Sequence, residues 1–151
     1  VVINAHGDIE QHLALVDACR MATESLPIRA RYAFPGDRLH HYGLTGKEPF
    51  LCPVQPSDLS FGDTGAPDVH GGDLETAMMR TFHPACADTA LAATLEPVIL
   101  PDERIMEWLF GGHTAALSPN GYVGAPARHA DVDAHAFLAD AARRISTAIL
   151  A

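Results

Sequence analysis

The sequence is poor in basic side chains. Lys and Arg together number 10 against 19 Asp and Glu, which gives a formal charge of −9 at pH 7. Nucleic acids and anionic lipid surfaces attract proteins with a basic face, because their phosphates need cationic partners. This charge balance therefore argues against binding to nucleic acid or to an anionic membrane surface.

Cysteines and long apolar runs are also scarce. The three cysteines, Cys19, Cys52 and Cys86, show no paired spacing typical of a metal site. An odd number without a disulfide framework suits a reducing compartment, so we expect a cytoplasmic protein. No apolar run approaches the roughly 20 residues that a membrane-spanning helix needs. Cys52 is a weak site candidate, because it lies in a predicted loop before Pro53.

The 151 residues are 48% hydrophobic and 19% charged, which is typical of one globular domain with a sizeable core. An apolar run over 1–5 and alternation over 28–34 predict two strands, and apolar residues at helical spacing predict a helix over 9–25. Strand, helix and strand form a βαβ unit with parallel strands. His12, on this helix, is predicted to be solvated. Farther along, the patterns predict helices over 73–82, 85–95, 102–110 and 131–150, and a short strand over 97–100.

Residues 35–69 lose this periodicity and are rich in glycine and proline. A long loop inside a compact domain is usually functional or disordered, and its apolar and aromatic content argues against disorder. We predict a wall or lid of a pocket. His40 and His41 are candidates for substrate contact, with an ordinary surface pair as the equal alternative. Asp63 and Asp68 are candidates to support the charged groups of a site.

Residues 70–76 read His-Gly-Gly-Asp-Leu-Glu-Thr and open the predicted helix over 73–82. Gly71 and Gly72 allow a tight turn and a close approach of the backbone. His70 then lies on the loop and Glu75 on the first turn, both directed at one spot. This arrangement is typical of a proton-transferring histidine with an orienting carboxylate. A surface histidine beside ordinary first-turn acids is the alternative.

Residues 4–8 read Asn-Ala-His-Gly-Asp and follow the first predicted strand. Ligands of α/β proteins bind at the carboxyl ends of strands. His6 and Asp8 are two positions apart, so both side chains are candidates to face one metal site. An imidazole together with a carboxylate suits zinc or manganese.

The two segments, followed by Gly-Tyr-Val-Gly-Ala-Pro at 121–126, resemble the motifs of the creatininase family of metal-dependent amidohydrolases. In that family a strand ends in Asn-Gly-His-(Gly/Tyr)-(Gly/Glu)-Asn. His-(Ala/Gly)-Gly-x-x-Glu-Thr-Ser and Gly-x-x-Gly-x-Pro follow in the same order. The resemblance extends over nearly the whole chain, and the element at 70–76 is its most specific part.

The resemblance implies a creatininase-like three-layer α/β/α fold around a mostly parallel sheet, forming a single domain over 1–151. It implies that His6 binds one divalent metal of a two-metal centre and Asp8 the other, with zinc, manganese or, as a further option, iron. His70 and Glu75 would serve catalysis, and Gly71 and Gly72 would approach the substrate. A metal-activated water would then hydrolyse a C–N bond of a small amide, cyclic amide or formamide. A homo-oligomer is expected, because the family commonly forms hexamers.

The sequence also departs from the family pattern. Asp8 is shorter than the glutamate of creatininase, Ala77 replaces a serine, and no tryptophan directly precedes His70 to cover creatinine. We therefore expect a substrate other than creatinine. The family's upstream Glu-x-His…Asp segment is absent, so the chain resembles a C-terminal portion that lacks its N-terminal part. An N-terminal polypeptide would then supply the remaining metal ligands.

Three other functions stay open. One is a deformylase or peptide-trimming hydrolase in cofactor biosynthesis, and another is a ring-opening hydrolase of an oxidised cyclic polyol. The third is a non-catalytic structural subunit or fragment of a larger creatininase-like enzyme.

Overall fold

A computed structural model describes residues 1–59 and 68–151. The chain divides into two compact units, which are described separately below. Unit 1 combines Val1–Asp58 with Ala139–Ala151, and unit 2 is Leu59–Leu138. Over these described ranges, no helix combines the length and apolar character needed to cross a membrane.

Unit 1 is built on three parallel strands in the order β1, β2, β3. β1 (Val2–Ile3) is followed by the helix α1 (Ile9–Ser25) and then by β2 (Tyr32–Pro35). A 3₁₀ helix, Gly36–Tyr42, leads toward β3 (Leu51–Val54). The predicted βαβ unit and its parallel pairing are therefore confirmed.

Helices cover both faces of this sheet. Tyr32 points to the face where it packs with Val16 of α1. Because neighbouring side chains of a strand alternate between faces, Ala33 points to the opposite side. There it lines a cavity of about 140 Å³ with Ile145 of α6 (Ala134–Leu150). The predicted three-layer α/β/α arrangement around a parallel sheet is confirmed.

A charged network fixes the unit 1 part of α6. The Asp140 carboxylate accepts hydrogen bonds from Arg143, Arg144 and the Ser57 hydroxyl. Arg144 also donates to the Gln55 carbonyl at 2.8 Å, just beyond β3. The Arg144 guanidinium, followed by the Ser57 hydroxyl, lowers the pKa of Asp140 to about 2. Asp140 is therefore ionised at neutral pH and holds α6 against the chain that leaves β3.

Unit 2 contains α2 (Asp73–Phe82), which starts within the motif over 70–76. Ala77 of α2 is fully buried against Val132 and Ala134, and Leu74 and Met78 pack around them. Two isolated antiparallel bridges, His70 with Val123 and Val98 with Gly124, join distant parts of the unit. The helices along its described residues are α2 (Asp73–Phe82), α3 (Thr89–Ala92), α4 (Asp102–Phe110) and α5 (Thr114–Leu117).

Several predicted elements differ in extent. The helix predicted over 85–95 is a 3₁₀ turn, Pro84–Cys86, followed by α3, because the Asp88 carboxylate accepts the Leu91 N–H and starts a new helix. The strand predicted over 97–100 is reduced to the single bridge at Val98. The last helix begins at Ala134, and Asp133 accepts the Ala136 N–H there.

The segment over 35–69 contains more regular structure than predicted. Its glycines and prolines favoured a loop, but the segment contains a 3₁₀ helix and β3, and β3 carries Pro53. An edge strand tolerates proline, because one side of it makes no ladder hydrogen bonds. Cys52 is fully buried in β3, so its proposal as a loop site candidate is wrong. Residues 60–67, including Asp63, lie outside the described residues, and the role of the segment as a pocket wall stays a prediction.

His12 is buried, so its predicted solvation is wrong. Its side chain is 2% exposed, and its Nδ1 lies 2.6 Å from the Tyr32 hydroxyl. The rings of Tyr32, Phe34 and Tyr42 surround it within 6 Å between ring centres. Desolvation, with a smaller effect of Arg38, lowers the pKa of His12 below its ordinary value of 6.5. The imidazole is therefore a neutral member of the unit 1 core.

This burial predicts acid destabilisation. Between the lowered pKa of folded His12 and 6.5, the unfolded chain binds a proton that the folded state does not. The free energy of unfolding should therefore fall as the pH drops below 6.5, by at most about 1.4 kcal/mol per pH unit for this one group. His12→Gln keeps a polar partner for Tyr32 and should flatten that slope, as measured by urea unfolding between pH 7.5 and pH 5 (about the range in which histidine titrates).

His113→Gln, at an exposed histidine, is the matched control and should retain the wild-type slope. An unchanged slope in His12→Gln would contradict the assignment of the acid sensitivity to His12.

Candidate functional site

The two motif segments of unit 2 lie side by side. The Val123 N–H donates to the His70 carbonyl at 2.8 Å, and the His70 N–H donates to the Val123 carbonyl at 3.1 Å. The segment 121–126 therefore fixes the backbone immediately before α2. The His70 imidazole, by contrast, is 59% exposed. Both backbone groups of His70 are therefore hydrogen-bonded, and its side chain is open to solvent.

Glycines make this approach possible. A Cβ on Gly124 would lie 2.8 Å from the Gly72 Cα, closer than atoms of a side chain can pack. Gly71 has a φ of +61°, and a Cβ on it would lie 3.1 Å from the Tyr122 Cβ. Glycine avoids both conflicts, since it has no Cβ and adopts positive φ without strain. The close contact of the two motifs thus requires glycine in both of them.

Asp68 supports the first turn of α2 from outside the helix. Its carboxylate accepts the N–H groups of Gly72 at 3.0 Å, Leu74 at 2.7 Å and Glu75 at 3.3 Å. These are the N–H groups that a helix start leaves without partners. Burial raises the pKa of Asp68, and a hydrogen bond with the Asp73 side chain raises it further, whereas the three amides oppose the rise. Asp68 therefore supports the segment that carries Glu75.

His70 and Glu75 are brought together, as the motif predicts. The His70 Nδ1 lies 3.8 Å from the Glu75 Oε2. The same carboxylate oxygen accepts the Gly71 N–H at 2.5 Å, which fixes its position. Both side chains are more than half exposed. An imidazole beside an anchored carboxylate, open to solvent, can accept a proton and release it to a bound molecule.

The N–H groups of the two motif glycines are already used. Gly71 donates to Glu75, and Gly72 donates to Asp68. Neither N–H is therefore left to bind a substrate. A contact of Gly71 or Gly72 with a substrate, as expected above, would have to use their other backbone atoms. A cavity of about 290 Å³ adjoins the segment, lined by Gly71, Glu75, Thr76, Met79, Cys86, Ala87 and Asp88.

Trp108 lies beside His70, which the sequence did not predict. The centres of the two rings are 5.8 Å apart, with an angle of 39° between the ring planes. Trp108 is 8% exposed and therefore buried. Its indole Nε1 is buried and has no hydrogen-bond partner among the residues that the structure describes. Thirty-eight positions separate the two residues along the chain, so no local pattern links them.

The segment 4–8 belongs to unit 1 and forms a turn after β1. The Asn4 side chain accepts the His6 N–H at 3.1 Å and donates to the His6 carbonyl at 2.9 Å. The Asp8 Oδ1 accepts the Gln11 N–H at 2.8 Å and so caps the start of α1. His6 is exposed. The turn is held by its own side chains, and the His6 imidazole is left open.

The His6 imidazole and the Asp8 carboxylate are suitable ligands for a divalent metal, since both groups commonly bind zinc and manganese. They do not complete a site. Within residues 1–59 and 68–151, no group of three or more His, Cys, Asp and Glu side chains is arranged to hold a metal ion. Any metal at this turn therefore needs donors beyond this pair.

His40 and His41 lie in the 3₁₀ helix of unit 1. Both are exposed, and their ring centres are 3.8 Å apart. Their contact with a substrate stays a prediction.

The packing around Gly72 predicts a specific loss of stability. In Gly72→Ala the new Cβ would lie 2.5 Å from the Asp68 Oδ1, so the carboxylate must move away from the amides that it caps. We expect the free energy of unfolding to fall by about 1–3 kcal/mol, measured by urea unfolding.

Gly7→Ala is the matched control, because no atom lies within 4 Å of its added Cβ. It should change stability by less than about 0.5 kcal/mol. Equal effects of the two substitutions would show that the contact with Asp68 does not limit position 72.

Comparison with known proteins covers the chain as a whole. The model of the creatininase family, described as creatinine amidohydrolase, matches residues 1–149. No curated protein and no solved structure matches the chain. The family match includes the turn at 4–8, the start of α2 and the segment 121–126 that lies against it. The chain therefore belongs to the creatininase family.

Proposed function

We propose that the protein is a metal-dependent amidohydrolase that cleaves a C–N bond of a small amide, cyclic amide or formamide. Membership of the creatininase family supports a hydrolase of this kind. The observation that carries the proposal is the exposed His70–Glu75 pair, whose atoms lie 3.8 Å apart on a firmly capped helix start.

In this proposal His70 transfers the proton. C–N hydrolysis requires a proton on the departing nitrogen, because an amide anion is a very poor leaving group. The Glu75 carboxylate, held by the Gly71 N–H, lies 3.8 Å from the His70 Nδ1, on the side of the ring that it would orient. His70 can then take a proton during attack on the carbonyl and return it to the nitrogen. Glu75 orients the ring and is not itself consumed.

His6 and Asp8 would hold the metal ions, with zinc, manganese or iron as the candidates. A bound divalent cation supplies polarisation of the amide carbonyl and activation of water at neutral pH. Structural and catalytic zinc sites use at least three protein ligands. We propose that the missing donors come from an N-terminal polypeptide, and that the protein acts as a homo-oligomer, with a hexamer as the first candidate.

The second candidate is a structural subunit of a larger creatininase-like assembly. It is favoured by one observation: in the described part of the chain, no three potential metal ligands are arranged as a site. A subunit of this kind would retain the fold and the segment 70–76 without turnover of its own.

Replacing His70 tests the amidohydrolase proposal against a purely structural role. His70→Ala should lower kcat for hydrolysis of the preferred amide by roughly 10²–10⁴-fold, the usual contribution of a general acid–base group. Metal content, measured by inductively coupled plasma mass spectrometry, should stay at the wild-type level. His113→Ala, at an exposed histidine of the same unit, is the control and should retain full activity. Loss of metal from His70→Ala would identify His70 as a ligand instead.

Native mass spectrometry of the protein purified from its source tests the metal site. We expect an assembly that contains a second polypeptide and two metal ions per site. His6→Ala should lower the metal content of this assembly without dissociating it, because the His6 side chain is exposed. A metal-free species without a second polypeptide would overturn the hydrolase proposal and support the structural subunit.

A further inference from the structure

A cavity of unit 1 lies where its three parallel strands end. Tyr32 and Leu51 pack on the α1 face of the sheet. Because successive side chains of a strand alternate between faces, Ala33 and Val54 point toward α6. Together with Ile3 they form the floor of this cavity, whose volume is about 140 Å³. The carboxyl ends of parallel strands are the usual place of ligands in α/β folds.

The helix α6 forms the wall of the cavity. Ala141, Arg144 and Ile145 are three and four positions apart, so they share one face of the helix. The chain that follows each strand contributes the remaining polar residues of the lining, which are Asn4, Asp37 and Gln55. All of these residues belong to unit 1. A mainly apolar lining with a few polar groups is typical of a small-molecule site.

Arg144 brings a guanidinium group to this cavity. Its Nη1 donates to the Gln55 carbonyl at 2.8 Å, and its Nε donates to the Asp140 carboxylate at 2.6 Å. These two contacts use two of the five N–H donors of the guanidinium. The Arg144 side chain is 18% exposed. The group is therefore held in place by the protein and remains accessible from the cavity.

The Gln55 side-chain amide lies beside the chain that leaves β2. A Cβ on Gly36 would lie 3.6 Å from the Gln55 Nε2 and 2.9 Å from the Val54 carbonyl oxygen. Glycine at position 36 therefore lets the two chain segments after β2 and β3 approach each other. The neighbours of Gly36, Pro35 and Asp37, both line the cavity. The amide thus supplies a second hydrogen-bond donor near the guanidinium.

The charges of the lining favour an anion. Among the described residues, Arg144 is the only cationic side chain of the cavity and Asp37 the only anionic one. Residues 60–67 contain no Lys, Arg or His and so cannot add a cation. Asp37 is exposed and its charge is screened by solvent, whereas the Arg144 side chain is mostly buried. Asp140 does not neutralise Arg144 fully, because it is shared with Arg143.

We propose that this cavity binds a small aliphatic carboxylate, whose charged group pairs with Arg144 and whose carbon chain lies on Ile3 and Val54. Arginine binds carboxylates through parallel N–H donors, a strong and directional contact. The cavity has the volume of about five water molecules at about 30 Å³ each, which suits a ligand of about five non-hydrogen atoms. The site uses neither the proposed metal ligands nor the His70–Glu75 pair. It is therefore independent of the proposed function.

Propionate and propionamide test the preference for an anion, because they have nearly the same size and shape and differ in charge. Each is titrated into the isotope-labelled wild-type chain at neutral pH and followed by NMR. We expect propionate to cause saturable shifts of the Gly36 N–H and the Gln55 side-chain amide, and propionamide to bind at least about tenfold more weakly. Equal affinity for the two compounds, or no saturable shift with propionate, would overturn the proposal.

Two arginine variants separate contact with the ligand from support of α6. Arg144→Gln and Arg143→Gln each remove one partner of Asp140, but only Arg144 lines the cavity. We expect Arg144→Gln to weaken propionate binding by roughly 10–100-fold, as for a lost charge-assisted hydrogen bond. Arg143→Gln should change the affinity by less than about threefold, because its side chain is exposed. Equal weakening in both variants would contradict a direct contact with Arg144.

Filling the cavity tests its location without changing a charge. Ala141→Leu places a larger side chain in the cavity, and Ala142→Leu, at its exposed neighbour on α6, is the matched control. We expect propionate binding to be lost in Ala141→Leu and retained in Ala142→Leu, with both variants folded as judged by their NMR spectra. Undiminished binding of propionate by folded Ala141→Leu would place the anion elsewhere and overturn the proposal.

Discussion

The close approach of Gly72 to Gly124 is the constraint on which the site of unit 2 depends. With no Cβ on either residue, the chain at 121–126 comes near enough to form the bridge between Val123 and His70. The same approach leaves room for Asp68 beside Gly72, where its carboxylate caps α2. A larger residue at either glycine would separate the bridge from the cap. The spacing of the two glycine-containing motifs is therefore a requirement of backbone packing as much as of chemistry.

The two units fix their motif histidines by the same physical means. In unit 1 the Asn4 side chain closes the turn around His6, and its Nδ2 lies 3.5 Å from the Tyr32 hydroxyl, which contacts the buried His12. In unit 2 the Glu75 carboxylate closes the turn after His70. In both places a polar side chain accepts a backbone N–H of the turn. The imidazoles are left exposed on turns whose backbones are hydrogen-bonded to these side chains.

The sequence predicted the features that depend on local patterns. The bounds of α1 and α2, the parallel pairing of β1 with β2, and the meeting of His70 with Glu75 follow from periodicity and from spacing within one turn. β3 was missed because its proline and flanking glycines resemble a loop, and its pairing partner lies about 20 positions away. The burial of His12 and the contact of Trp108 with His70 were missed for a related reason. Both depend on tertiary packing, which helical periodicity does not specify.

In the turn at residues 4–8, the Asp8 carboxylate caps α1 and is also the proposed ligand of a metal. Aspartate is a strong helix N-cap because its short side chain places an oxygen at the N–H of the third helical residue, and Asp8 does this for Gln11. The longer glutamate of creatininase reaches farther and caps less readily. Because its Oδ1 already accepts the Gln11 N–H, Asp8 offers a cation chiefly its other oxygen, whereas the His6 side chain is exposed. If Asp8 binds a metal at this turn, it must do so while its Oδ1 accepts the Gln11 N–H, so the helix cap and the cation would compete for the same carboxylate.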